Sequence, residues 1–187
     1  NGVKLGVYFF STAISQEEAV EEADWTADFI AQYPITYPVV YDCEGFTDMD
    51  SRQYGMSKTE RTDIALAFLK RIEQRGYEGM FYAAKNELQD ETLWETSRIE
   101  KHYKIWVAQF PGDADPAVHT SSYTGEHQMW QYTMEGSVPG ISQPVDMNVA
   151  YFGYDGVEKP KDETPPAEAF PDVEALMDFT EVNEEVT

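Results

Sequence analysis

"SKTERTDIALAFLKRIEQRGYEGMFYAA", residues 57–84, holds a complete helix-to-strand transition. Ser57 followed three residues later by Glu60 is a capping box that starts a helix. Ile64, Ala65, Phe68, Leu69 and Ile72 recur at helical spacing and give it one apolar face. Gly76 is placed to end the helix, because glycine tolerates the left-handed conformation that closes many helix C-termini. "GMFYAA" (79–84) then reads as a short apolar strand.

The same pattern extends outward. "KLGVYFF" (4–10) and "YPVVYDCE" (37–44) read as strands, and "SQEEAVEEADWTADFIAQY" (15–33) between them opens with a second Ser/Glu pair, Ser15 and Glu18. Ala19, Ala23, Ala27 and Ile30 supply its apolar face. Downstream, "KIWVAQF" (104–110), "QMWQYT" (128–133) and "PVDMNVAYF" (144–152) complete six strand candidates, with loops rather than long helices between them. Strands alternating with amphipathic helices imply a parallel sheet with crossovers, and near-continuous apolar strands imply cover on both faces. The fold class is therefore α/β.

Composition narrows the partners. Thirty-five Asp and Glu against 13 Lys and Arg leave a formal charge of −22, which repels nucleic acid and anionic membranes at long range. No apolar run is long enough to span a bilayer. Cys43, alone in the chain, leaves no internal disulfide to form. Residues 1–154 form the expected folded domain. Residues 155–187 hold 11 acids, 2 bases and four of the ten prolines, and read as an acidic linker or a C-terminal extension packed through Phe170, Leu176, Met177 and Phe179.

The residues suited to chemistry cluster at strand ends. Side chains at i and i+2 of a strand share a face, so Asp42 and Glu44 point together and Cys43 points away. Acids at the C-terminal end of a strand in an α/β sheet stand where such folds build active sites. Two close carboxyls divide their labour, one with a raised pKa as proton donor and one charged, which glycoside hydrolysis requires. An alternative is a loop-capping Asp42 and a solvated Glu44. Cys43 reads as a buried small residue, with His102, His119 and His127 in no catalytic arrangement around it. "TDMDSRQYG" (47–55) has alternating acids but puts Arg52 at a ligand position and lacks the closing Glu of a calcium loop, so a solvated loop is expected, with no metal and no cofactor. Tyr8, Phe10, Tyr82, Trp106, Trp130 and Tyr132 lie near strand ends and suit either sugar stacking or the core.

Taken in order, "GVYFFS", "YPVVYDCE", "GYEGMFYAAKNEL", "YKIWVAQF" and "HQMWQYTMEGSVPGISQPVDMN" resemble the muramidases of glycoside hydrolase family 25 across roughly residues 2–152. The resemblance implies an irregular TIM-like (β/α) barrel, with about six of eight strands in this chain. It also implies cleavage of the β-1,4 bond between N-acetylmuramic acid and N-acetylglucosamine in bacterial peptidoglycan. By position, Glu44 corresponds to the family's general acid, Asp42 to its same-strand partner and Asp146 to the acid of the last strand. Tyr8, Tyr82, Trp106, Trp130 and Gln131 fall on positions that line or support the groove, and Phe10 adds a ring beside them. Phe9 stands where the family commonly has His. The family's opening Asp-bearing strand has no counterpart here, so a preceding segment is expected, either bound as a separate fragment or outside this sequence.

The resemblance places the protein outside the cell or at the wall, or as a phage product released to it. "FTEVNEEVT" (179–187) is similar to the lead-in of an SH3-like wall-binding module. The i/i+2 Cβ separation on a strand, about 6.5–7 Å, does not distinguish inversion from retention, and a 2-acetamido sugar adds a substrate-assisted route. Two other readings remain: a non-catalytic glycan-binding module, and a hydrolase of another amino-sugar polymer.

Overall fold

The computed structural model describes residues 3–112, 116 and 119–154; the acidic stretch 155–187, with both readings given for it above, lies outside these. All six expected strands form: β1 (Val7–Phe10), β2 (Val39–Asp42), β3 (Gly79–Ala84), β4 (Lys104–Ala108), β5 (Met129–Gly136) and β6 (Val145–Ala150). They make one sheet in the order β1-β2-β3-β4-β5-β6. The first five are parallel, as the alternating pattern implies, and β6 is antiparallel to β5. The short stretch 137–144 between β5 and β6 explains the reversal, since a parallel return needs a crossover of a dozen or more residues.

Helix α1 (Gln16–Ile30) and helix α2 (Lys58–Gln74) cross between β1, β2 and β3, and two five-residue helices, α3 (Lys85–Gln89) and α4 (Thr96–Glu100), fill the link to β4. The Ser57/Glu60 capping box is complete. That of α1 is only half formed: Ser15 accepts from the Glu18 N–H, while the Glu18 carboxylate accepts from the Ile14 N–H instead of closing on Ser15. Gly76 takes φ +87°, as its place after α2 requires. Asp24 on α1 binds Arg71 and Arg75 of α2, fixing the two helices to each other.

The core lies between the sheet and these helices. Odd-numbered strand residues Phe9, Tyr41, Phe81 and Val107 face it. Tyr41 meets Phe68 edge-on at 5.3 Å, and Trp94 packs on Phe81 at 5.0 Å and on Phe46 at 5.4 Å. Phe9 fits this layer, with its ring against Phe68 and Trp25. Cys43 is 2% exposed and its thiol donates to Gln53 Oε1, so it is packing, as expected. Burial pushes that thiol up to about 12, which leaves negligible thiolate at neutral pH.

The sheet curls. Phe152 and Tyr154, just beyond β6, return to the segments preceding β1 and β2, at the opposite side of the strand order. Tyr37 stacks on Phe152 at 4.6 Å and donates its hydroxyl to the Phe152 carbonyl, and the Lys4 N–H donates to Tyr154 Oη. These contacts close the end of the half-barrel formed by the N-terminal ends of β1–β5. The other end, where the parallel strands terminate, stays open. Among the described residues β1 has one neighbouring strand, and its Tyr8 and Phe10 are 64% and 50% exposed. No helix among the described residues is long and apolar enough to cross a membrane.

The loop 47–55 after β2 is mostly exposed, as expected, with Gln53 as its one buried residue. Arg52 binds Glu18 and the Thr12 carbonyl, and Gln53, 2% exposed, donates to the Ala13 carbonyl at 2.7 Å. The loop is thereby pinned to the β1–α1 connection and to the first turn of α1.

Candidate active site

β2 ends at Asp42, and the chain continues through Cys43 and Glu44 to Gly45, whose φ of +67° turns it away from the sheet. The alternation expected from the sequence holds: Cys43 enters the core, Asp42 occupies the opposite face, and Glu44 stands exposed beyond the strand. Asp42 is 7% exposed, and its Oδ1 is buried with no hydrogen-bond partner among the described residues. Burial first, then the negative charges of Glu44 and Glu87, push its carboxyl up to about 7. Of the two neighbouring acids, the inner one therefore holds a proton into the neutral range.

Tyr82 is paired with Asp42 across β2 and β3 and joins the acids into one site. Its hydroxyl donates to Gln131 Oε1 at 2.8 Å. Burial, then the charges of Glu44, Asp42 and Asp146, hold the phenol protonated far above neutral pH. Asp146, exposed on β6, thus lies within electrostatic reach of the same hydroxyl as Asp42 and Glu44. Trp106 packs edge-on against Tyr82 at 4.9 Å, and its indole N–H donates to Asn148 Oδ1 at 2.9 Å. Gln131, 5% exposed, anchors Tyr82 rather than facing solvent.

Trp130 is a correction. It is fully buried, donates its indole N–H to the Gln109 carbonyl and packs with Tyr132 on the helix side of the sheet. Residues 130 and 132 share a face by strand alternation, and that face is the core. Trp130 backs the wall of the site and offers no surface to a sugar.

Above the strand ends lies a cleft of about 550 Å³, lined by Glu44, Tyr82, Lys85, Glu87, Gln109 and Phe110 among others. Lys85, Glu87 and Gln109 were not among the expected site residues. They sit just past the ends of β3 and β4, which is where the strand-end rule points. Glu87 is half-buried, with Oε2 lacking a partner among the described residues; burial, then Glu44, raise its pKa. Behind it, buried Arg61 lies 4.0 Å from the Phe46 ring and donates to the Leu93 and Met56 carbonyls. No group of three or more His, Cys, Asp or Glu among the described residues is placed to hold a metal ion.

A curled α/β half-barrel with carboxyls, a half-buried phenol and aromatic rings at its strand ends is suited to a carbohydrate. The chain belongs to the glycosyl hydrolases family 25, whose model matches residues 1–141. No curated protein matches it. Among solved structures it is similar to the modular autolysin LytC of Streptococcus pneumoniae, at 25% identity and a TM-score of 0.62, over 79% of this chain and 34% of that one. LytC has also been solved with a synthetic peptidoglycan ligand. The bacterial lysozyme of Streptomyces coelicolor shares the fold at 23% identity and a TM-score of 0.61, over 83% of this chain and 71% of that one. So does the spore cortex lytic enzyme SleM of Clostridium perfringens, at 22% and 0.60, over 80% and 50%. The matched region thus spans about a third of LytC and half of SleM.

Proposed function

We propose that this domain hydrolyses bacterial peptidoglycan as an N-acetylmuramidase, cutting the β-1,4 bond between N-acetylmuramic acid and N-acetylglucosamine at the wall, with Glu44 as the proton donor. Family membership and the peptidoglycan ligand held by LytC support the substrate class. The observation that carries the reading is the pairing of an exposed Glu44 in the cleft with a buried Asp42 beneath it that has an unpartnered Oδ1.

A buried carboxylate oxygen without a donor is costly and suits a ligand N–H. The 2-acetamido N–H of the substrate supplies one. Donation to Asp42 stabilises its charged form, so Asp42 releases its proton, which the neighbouring Glu44 carboxylate accepts. Glu44 then protonates the leaving oxygen as the glycosidic bond breaks and the oriented acetamido carbonyl oxygen bonds to the anomeric carbon. Water, deprotonated by Glu44, then opens that adduct, while Tyr82, anchored on Gln131, lines the site beside Asp42. Asp146 adds negative charge opposite the developing oxocarbenium.

Clearing of purified bacterial walls, followed by turbidity, tests the reading. Release of soluble muropeptides is expected. Binding to walls without release would identify the non-catalytic glycan-binding module instead, and release from chitin-type polymers alone would identify a hydrolase of another amino-sugar polymer.

A further inference from the structure

Among the described residues Lys85 is the sole Lys or Arg lining the acid cleft, which it shares with Glu44 and Glu87. It stands on the first residue of α3, directly after β3, at the same edge as the acids. Its ammonium donates to Ser122 Oγ at 2.7 Å. That hydroxyl also accepts from Gln109 Nε2 at 2.8 Å, and Gln109 Oε1 accepts from Ser121 Oγ and the Ser122 N–H at 2.8 and 2.9 Å. Ser121 is 6% exposed, and Gln109 follows β4. A long, flexible cation is thereby held at the cleft by a neutral oxygen, itself positioned by a side-chain network, which leaves two ammonium N–H groups without a partner among the described residues and open to a ligand.

A chain with a formal charge of −22 and a carboxyl-lined cleft repels an anionic ligand unless a cation answers the ligand's charge locally. We infer that Lys85 is a specificity-determining residue that binds a carboxylate on the lactyl side of a muramyl unit, selecting muramyl glycans over neutral amino-sugar polymers. The inference rests on the proposed function and names which chemical group of the substrate the cleft reads. The carboxylate is the lactyl group itself in peptide-free glycan, or belongs to the stem peptide when the lactyl group is amidated.

The test is binding by titration calorimetry in a Glu44→Gln background, where no hydrolysis intervenes. Three tetrasaccharides serve as probes: chitotetraose, peptide-free (GlcNAc–MurNAc)2, and the same glycan bearing L-Ala-D-isoglutamine, whose free carboxylate lies on the peptide. Adding Lys85→Gln is expected to weaken one or both acid-bearing probes by about tenfold, the scale of a lost charge-assisted hydrogen bond, and to leave chitotetraose unchanged. Lys85→Arg is expected to restore most of the loss. The probe that loses affinity identifies the source of the carboxylate. Equal weakening of all three, or no change in any, overturns the inference and leaves the proposed function standing; failure of all three to bind the Lys85 protein overturns both.

Discussion

Replacing Asp42 with Asn should stabilise the domain, and only above mildly acidic pH. Asp42 ionises near 3.8 when unfolded and at about 7 in the folded domain, mainly through burial. Between those values the folded state keeps a proton that the unfolded state has lost, so stability falls as pH rises across that window and levels off beyond it. Each pH unit of separation corresponds to about 1.4 kcal/mol, and the full gap to about 4 kcal/mol. The cleft above Asp42 is open to water, which screens the neighbouring charges, so about 2 to 3 kcal/mol is the expected effect. Asn keeps the shape without the ionisation. Urea unfolding followed by Trp fluorescence at pH 4, 6 and 8 should give nearly equal stabilities at pH 4 and a gap of that size, favouring Asp42→Asn, at pH 8. A gap independent of pH, or a variant less stable than the parent at pH 8, would refute the reasoning.

Glu44→Gln should abolish wall lysis while changing urea stability by less than about 0.5 kcal/mol, because Glu44 is exposed and its loss removes a proton rather than a packing contact. Near-normal lysis by this variant would reassign the proton donor. Lysis by the parent should decline as pH rises above about 7, where Asp42 gives up its proton, approaching tenfold per pH unit; a flat rate from pH 6 to 9 at constant ionic strength would count against a role for the protonated Asp42. Gln53→Ala should cost about 2 to 3 kcal/mol in urea unfolding, since it leaves the buried Ala13 carbonyl without its donor and opens a cavity beside Cys43.

The strand and helix pattern was legible because each apolar stripe has one core to face. Period and caps place α1, α2 and all six strands, and the Asp42/Cys43/Glu44 alternation follows from strand geometry alone. What escaped the sequence depends on distant partners. One exception is local: the antiparallel turn of β6 follows from the short loop before it, a signal present in "MEGSVPGISQ" (134–143) and available to the crossover-length rule. Trp130 looked like a groove aromatic because ring type is visible in a sequence and facing is not; its register beside core-facing Val107 puts it on the core side. Arg61, Glu87 and Lys85 come from helices, where a charged residue at a buried or cleft-facing position resembles any surface charge until its neighbours are known. Burial is also what makes Asp42 the acid with the raised pKa, and no spacing rule reports burial residue by residue.

The most direct test of the proposed activity is the identity of the new reducing ends. Peptidoglycan digested by the chain, reduced with borohydride and hydrolysed to its sugars should yield muramitol, and Glu44→Gln protein should yield none. Glucosaminitol in its place, or no newly reduced sugar at all, would contradict a muramidase that acts through Glu44.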